Sequence, residues 1–225
     1  MIIIVGIAGM IVQWRLRSVV SKYSQEPLPG GMTGAEIAER MLRENGIKNV
    51  SVVHTGGYLT DHFDPRTMTV NLSDEVYYGR SITSAAIACH ECGHAVQHAK
   101  HYAPMRLRAA VIPATNIGSR LAMPLILLGL LLSYWGDGSY WLIYAGIACF
   151  GLSLVFQLIT LPVEFNASRR AMLAIEGSDL LTAEEQEGAR KTLTAAALTY
   201  VAATAVALMQ LLRLILLFGG RRKND

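Results

Sequence analysis

Residues 87–98 read IACHECGHAVQH, and within them His90-Glu91-Cys92-Gly93-His94 is an H-E-x-x-H pattern. Positions four apart lie on one face of an α-helix. His90 and His94 can therefore both present a ring nitrogen to one metal ion at about 2.0–2.1 Å. Glu91, one residue along, reaches a water on that ion without ligating the ion itself. A zinc ion lowers the pKa of such a water toward about 7, and a neighbouring carboxylate can take its proton. The expected chemistry is hydrolysis with one Zn2+ per chain, His90 and His94 as ligands and Glu91 as catalytic base.

The other metal-capable residues nearby fit less well. His98 lies about 12 Å along the helix axis from His90 at 1.5 Å per residue, too far for the same ion on a straight helix. His98 and His101 suit the end of the helix, where positive character complements the dipole. Cys89 and Cys92 would need a second pair of ligands to make a structural zinc site. The remaining thiol, Cys149, lies in an apolar stretch. A redox pair favours a helix N-terminus, whereas these two fall mid-helix. They read as small core residues.

A third ligand must come from elsewhere. Glu164, in LITLPVEFNASRRAM (158–172), directly follows an apolar segment and comes two residues after Pro162. An acid at the edge of hydrocarbon is costly, about 2.5–3.5 kcal/mol at a helix centre, and is a functional candidate for that reason. Asp61, His62 and Asp64 are alternatives. A simple ion pair of Glu164 with Arg169 or Arg170 is the bland one.

The elements that must position these groups follow from the pattern. Residues 81–100 hold no Gly or Pro except Gly93, which predicts a largely buried helix. Thr33 followed by Glu36 is a capping box ahead of an amphipathic helix over 33–46. NVSVVH (49–54) and TMTVNL (67–72) read as two strands, with turn-rich sequence between them. An extended peptide could pair with the second strand if its edge is free. Ser73, Asp74 and Glu75 look like a helix start.

The rest of the chain is apolar. Of 225 residues, 52% are hydrophobic and 16% charged, and the mean hydropathy is +0.34. Ordinary soluble domains carry nearer a quarter charged residues, so a membrane protein is expected. The net charge of +3 and the lack of basic runs with interleaved aromatics argue against nucleic acid as a partner. Residues 1–14 read as a short membrane anchor, with Trp14, Arg15 and Arg17 at the interface. The segments 121–135, extended upstream to about 114, and 140–161 form a hairpin through GDGS (136–139). The stretch 193–220, interrupted by Arg213, is the last apolar segment, and RRK (221–223) anchors its end. The hairpin puts the sequences before 114 and after 161 on one side of the bilayer. They hold most of the 20 Lys and Arg residues, which places them in the cytoplasm.

Three stretches, LTDHFDPRTMTVNLSDEVYYGRSI, AIACHECGHAVQH and LPVEFNASRRA, together resemble the YugP-type membrane zinc metallopeptidases of bacteria. The resemblance runs over nearly the whole chain. This family is similar to gluzincin-type membrane proteases, including HtpX-like and CAAX prenyl proteases, in drawing a third ligand from a downstream Glu. It implies His90, His94 and Glu164 as zinc ligands and Glu91 as catalytic base. HtpX-like proteins usually read E-F-x-A-D at the third ligand. Here Ser168 replaces that acid, which bears on what orients a ligand from behind.

These observations together predict an α+β fold. A small zincin-like region of helix, two strands and metal helix combines with a mostly α-helical membrane domain of about four segments. The expected division is an anchor over 1–20, a zincin-like catalytic region over 21–113, and a transmembrane hairpin over 114–161. A third-ligand helix and polar connection follow over 162–192, then a C-terminal membrane segment over 193–225. The expected function is a zinc endopeptidase acting on membrane or membrane-proximal proteins, in a multi-pass cell-membrane protein with its catalytic side cytoplasmic. Its partners would be a protein or peptide substrate and membrane lipid. Tyr102, His98, His62 and Arg170 are candidate donors to the oxyanion. The alternative is a non-catalytic membrane scaffold or assembly factor with a structural zinc site.

Overall fold

Thr33 starts the first soluble helix as its sequence predicts. Its hydroxyl accepts from the Glu36 N–H at 3.2 Å, and the Glu36 carboxylate accepts from the Thr33 N–H at 2.7 Å. In the computed structural model, which describes residues 2–135, 139–178 and 181–219, the elements run as follows. They are α1 (Ile2–Tyr23), α2 (Gly34–Glu44), β1 (Ser51–His54), β2 (His62–Asp64), β3 (Thr69–Leu72), α3 (Asp74–Tyr77), α4 (Ile82–Ala99), α5 (Ala103–Trp135), α6 (Tyr140–Glu176) and α7 (Ala183–Phe218). Helix dominates and one small sheet is present, so the fold is α+β with long apolar helices.

The sheet has three strands where the sequence predicts two. Its order is β1-β3-β2, with β1 parallel to β3 and β2 antiparallel to it. The added strand, β2, lies inside the turn-rich stretch. It is only three residues long, and pairing with β3 rather than its own alternation defines it. In consequence β3 is central, so the edge that the sequence left open to a peptide is closed. The two outer edges belong to β1 and β2.

The apolar segments also differ in extent. α5 starts at Ala103 rather than near residue 114 and continues through Pro113 and Pro124. α6 continues through Pro162 to Glu176, so Glu164 shares one helix with the apolar segment before it. α5, α6 and α7 are each long and apolar enough to cross a membrane. The turn at 136–138 and the basic end at 221–223 lie outside the described residues.

The chain divides into two units. Met1–Met10, Leu107–Leu161 and Tyr200–Asp225 form one; Ile11–Arg106 and Pro162–Thr199 form the other. In the first, small residues let α5 and α6 approach closely. A Cβ on Gly146 would stand 2.7 Å from the Ala122 carbonyl oxygen. Large apolar side chains point outward, among them Leu127, Leu131, Trp141 and Leu216. So extensive an exposed apolar surface suits hydrocarbon rather than water.

In the second unit, α4 is the axis of the core. Ser81 caps it by accepting from the Ser84 N–H. Ile82, Ala85, Ala86, Cys89, Cys92 and Val96 are buried with Ile37, Met41 and Leu42 of α2 and Val70 and Leu72 of β3. Another face of α4 meets α6. A Cβ on Gly93 would stand 2.6 Å from the Ala167 carbonyl oxygen, closer than real side chains come. Gly93 therefore sets how near α6 lies to the two histidines that flank it.

Candidate metal centre

α4 places His90 and His94 one turn apart on one face. Their ring centroids are 4.8 Å apart and their planes nearly perpendicular. α6, brought close at Gly93, delivers Glu164 to the same point. Glu164 Oε2 lies 3.2 Å from His90 Nε2 and 3.5 Å from His94 Nε2. One donor atom from each of the three residues falls within 4.8 Å of the others. Three ligands at about 2.0–2.1 Å in a tetrahedron stand roughly 3.3–3.4 Å apart, so the observed spacing fits a zinc ion. The donor set also fits, since two imidazoles and a carboxylate leave a fourth position open, as in catalytic rather than structural zinc sites.

The cluster is sheltered. Glu164 is 2% exposed and His94 8%. A carboxylate buried to that degree requires compensating positive charge. Burial alone would disfavour a charged His94. The Glu164 hydrogen bond and the Glu91 and Glu164 charges outweigh it and hold the His94 pKa above its ordinary value. The site thus draws in positive charge, whether a proton or a metal ion.

Glu91 is buried beside the cluster but outside it. Its Oε2 accepts from the backbone N–H of Phe63 in β2 at 3.1 Å. The edge strand therefore positions this carboxylate. Asp61, just before β2, lies within reach of its charge. The Asp61 carboxylate accepts from both the N–H and the hydroxyl of Ser73. Burial, reinforced by the Glu91 charge, still raises its pKa against those hydrogen bonds.

The rivals for third ligand are occupied elsewhere. Asp61 holds Ser73, His62 Nδ1 faces the Thr60 carbonyl oxygen at 2.8 Å, and Asp64 accepts from the Arg66 N–H. His98 is exposed near the end of α4, its ring 5.7 Å from that of Phe63. Tyr102 donates from its hydroxyl to the Pro162 carbonyl at 3.5 Å. Cys89 and Cys92 are buried and free. Burial pushes the Cys89 thiol up to about 12 and the Cys92 thiol well above its ordinary value. Both are held as neutral core thiols.

Residues behind the histidines complete the arrangement. Ser168 Oγ lies 3.1 Å from His90 Nδ1. A hydroxyl thus stands where HtpX-like proteins carry an acid, and it can accept from that nitrogen. His94 Nδ1 faces Gln97 Oε1 at 3.0 Å. Sequence reasoning missed Gln97, although its position three residues after His94 puts it on the same helix face.

Fold and site together define a membrane-associated chain of long apolar helices with a two-histidine, one-glutamate candidate zinc centre. Residues 1–219 match the family described as "Putative neutral zinc metallopeptidase", and the chain belongs to that family. It is 46% identical over 213 residues to "Putative membrane protease YugP" of Bacillus subtilis (strain 168), covering 94% of this chain and 92% of that protein. No solved structure matches it significantly.

Proposed function

We propose that the chain is a zinc-dependent endopeptidase embedded in the membrane, hydrolysing peptide bonds of membrane or membrane-proximal proteins. The observation that carries this is the convergence of His90, His94 and Glu164 at spacings of 3.2 and 3.5 Å, with Glu91 adjacent but outside the set. His90 Nε2, His94 Nε2 and Glu164 Oε2 hold one zinc per chain. Zinc bound there supplies Lewis acidity toward a peptide carbonyl and makes a nearby water more acidic. Glu91, with Oε2 held by the Phe63 N–H, keeps Oε1 to receive the proton of the attacking water and pass it to the leaving amine.

α5, α6 and α7 cross the bilayer, and α1 anchors the chain beside them. The polar segments 15–113 and 164–192 face the cytoplasm, since they carry most of the positive charge. The direct test is Glu91→Gln in the purified full chain, assayed for zinc content and for cleavage of a quenched fluorescent peptide library. Zinc should stay at one per chain while hydrolysis falls at least about 100-fold, the size of a lost general base. Undiminished hydrolysis would remove Glu91 from the mechanism. A wild-type chain that binds zinc, never cleaves and unfolds on chelation would support the scaffold instead.

A further inference from the structure

Gln97 is fully buried, and the groups around it leave its amide one orientation. Its Nε2 lies 2.7 Å from the Val163 carbonyl oxygen, which can only accept. The same Nε2 lies 3.1 Å from Asn166 Oδ1. The Asn166 amide is fixed in turn, because the Arg170 Nε–H, which can only donate, meets that Oδ1 at 2.8 Å. The chain therefore has an acceptor-only carbonyl at one end and a donor-only guanidinium at the other. Gln97 Oε1 is left facing His94 Nδ1 at 3.0 Å. An amide oxygen accepts only, so His94 Nδ1 carries a hydrogen toward Gln97 and Nε2 is the nitrogen turned toward Glu164.

We infer that Gln97 is the positioning residue of this site, holding His94 and Glu164 in register, and that Arg170 acts on the site through Asn166 and Gln97. Resting on the proposed zinc site, this goes beyond it. Val163, which takes the Gln97 hydrogen bond, is the residue before Glu164 on α6. One side chain thus orients a histidine on α4 and pins the backbone beside the glutamate on α6. Breaking the link frees the His94 ring to turn and α6 to shift at Glu164. Outer partners of this kind are worth about 10- to 100-fold in metal affinity.

The test is zinc affinity of the full detergent-solubilised chain, measured by chelator competition, with zinc-free thermal unfolding of each variant in parallel. Gln97→Met should weaken zinc binding about 10- to 100-fold. Arg170→Met, on a half-buried residue, should weaken it by a smaller factor and should do nothing further once Gln97 is Met. Asn166→Asp keeps an acceptor for both neighbours and should bind zinc like wild type; Asn166→Leu should not. A purely structural role would lower thermal stability without this dependence of Arg170 on Gln97. Wild-type affinity in Gln97→Met, or an Arg170→Met effect that persists undiminished in Gln97→Met, overturns the inference alone. A wild-type chain without zinc, or His94→Ala that keeps it, overturns the proposed site and this inference together.

Discussion

Gly93→Ala is a one-carbon test of how the site is assembled. The new Cβ would stand 2.6 Å from the Ala167 carbonyl oxygen, against an ordinary contact of 3.4 Å or more. The neighbour is backbone on a packed helix, so it cannot swing aside as a side chain can. α6 must retreat by about 0.8 Å at Ala167 to restore normal packing. Glu164 is one turn away on the same helix and moves with it. Ligand distances tolerate only about 0.2 Å, so the retreat carries Oε2 out of bonding range. Overpacking of this kind costs about 1–3 kcal/mol, and zinc binding should weaken at least about 10-fold as the third ligand withdraws. The assays are chelator competition for zinc affinity and thermal unfolding of the zinc-free chain in the same detergent. Gly151→Ala is the control, because a Cβ there meets nothing within 4 Å. It should keep zinc and be neutral or slightly stabilising. If Gly93→Ala binds zinc as tightly as wild type, the close approach of α6 does not set the ligand geometry.

Two further outcomes follow from burial. Cys89 and Cys92 are buried, with thiols raised by that burial. In the folded chain they should resist alkylation by iodoacetamide at pH 8 and react in full after denaturation, as mass spectrometry would record. Rapid labelling of the folded chain would contradict their place in the core. Asp61 has a folded-state pKa above its ordinary value of 3.8. The folded chain therefore holds that proton more tightly than the unfolded chain. Its stabilising contribution is full below about 3.8 and is lost as pH rises through the raised value. Asp61→Asn keeps an acceptor for Ser73 and has no charge to bury. The gain in Tm of this variant over wild type should grow from pH 4 to pH 7; a gain that shrinks would contradict the assignment.

Much of the site was legible because its signals are local. H-E-x-x-H spacing, the Thr33–Glu36 box and the β-branched runs around 51–54 and 69–72 each depend on residues a few positions apart. Glu164 stood out because an acid at the end of an apolar segment is costly. β2 was not legible, since three residues in a turn-rich stretch become a strand only when β3 supplies the hydrogen bonds. Its loss from the sequence reading hid the contact of Phe63 with Glu91 and misplaced the open sheet edge. The extent of α5 and α6 was missed for a related reason. Pro113 lies just before the expected start of one segment and Pro162 just after the expected end of the other, yet each helix continues through them. Gly93 could be read only as a weakness in a helix until Ala167 was seen opposite it. The partners Gln97, Asn166 and Arg170 are joined across two helices some seventy residues apart, and no local pattern marks that link.

The most direct measurement is zinc per chain on purified wild type, Glu164→Ala and the double variant Cys89→Ser/Cys92→Ser. About one zinc is expected in wild type, with a clear loss in Glu164→Ala and full retention without the two cysteines. Zinc that ignores Glu164 and needs Cys89 and Cys92 would contradict that expectation, and would make the cysteines, not the His-His-Glu cluster, the metal site.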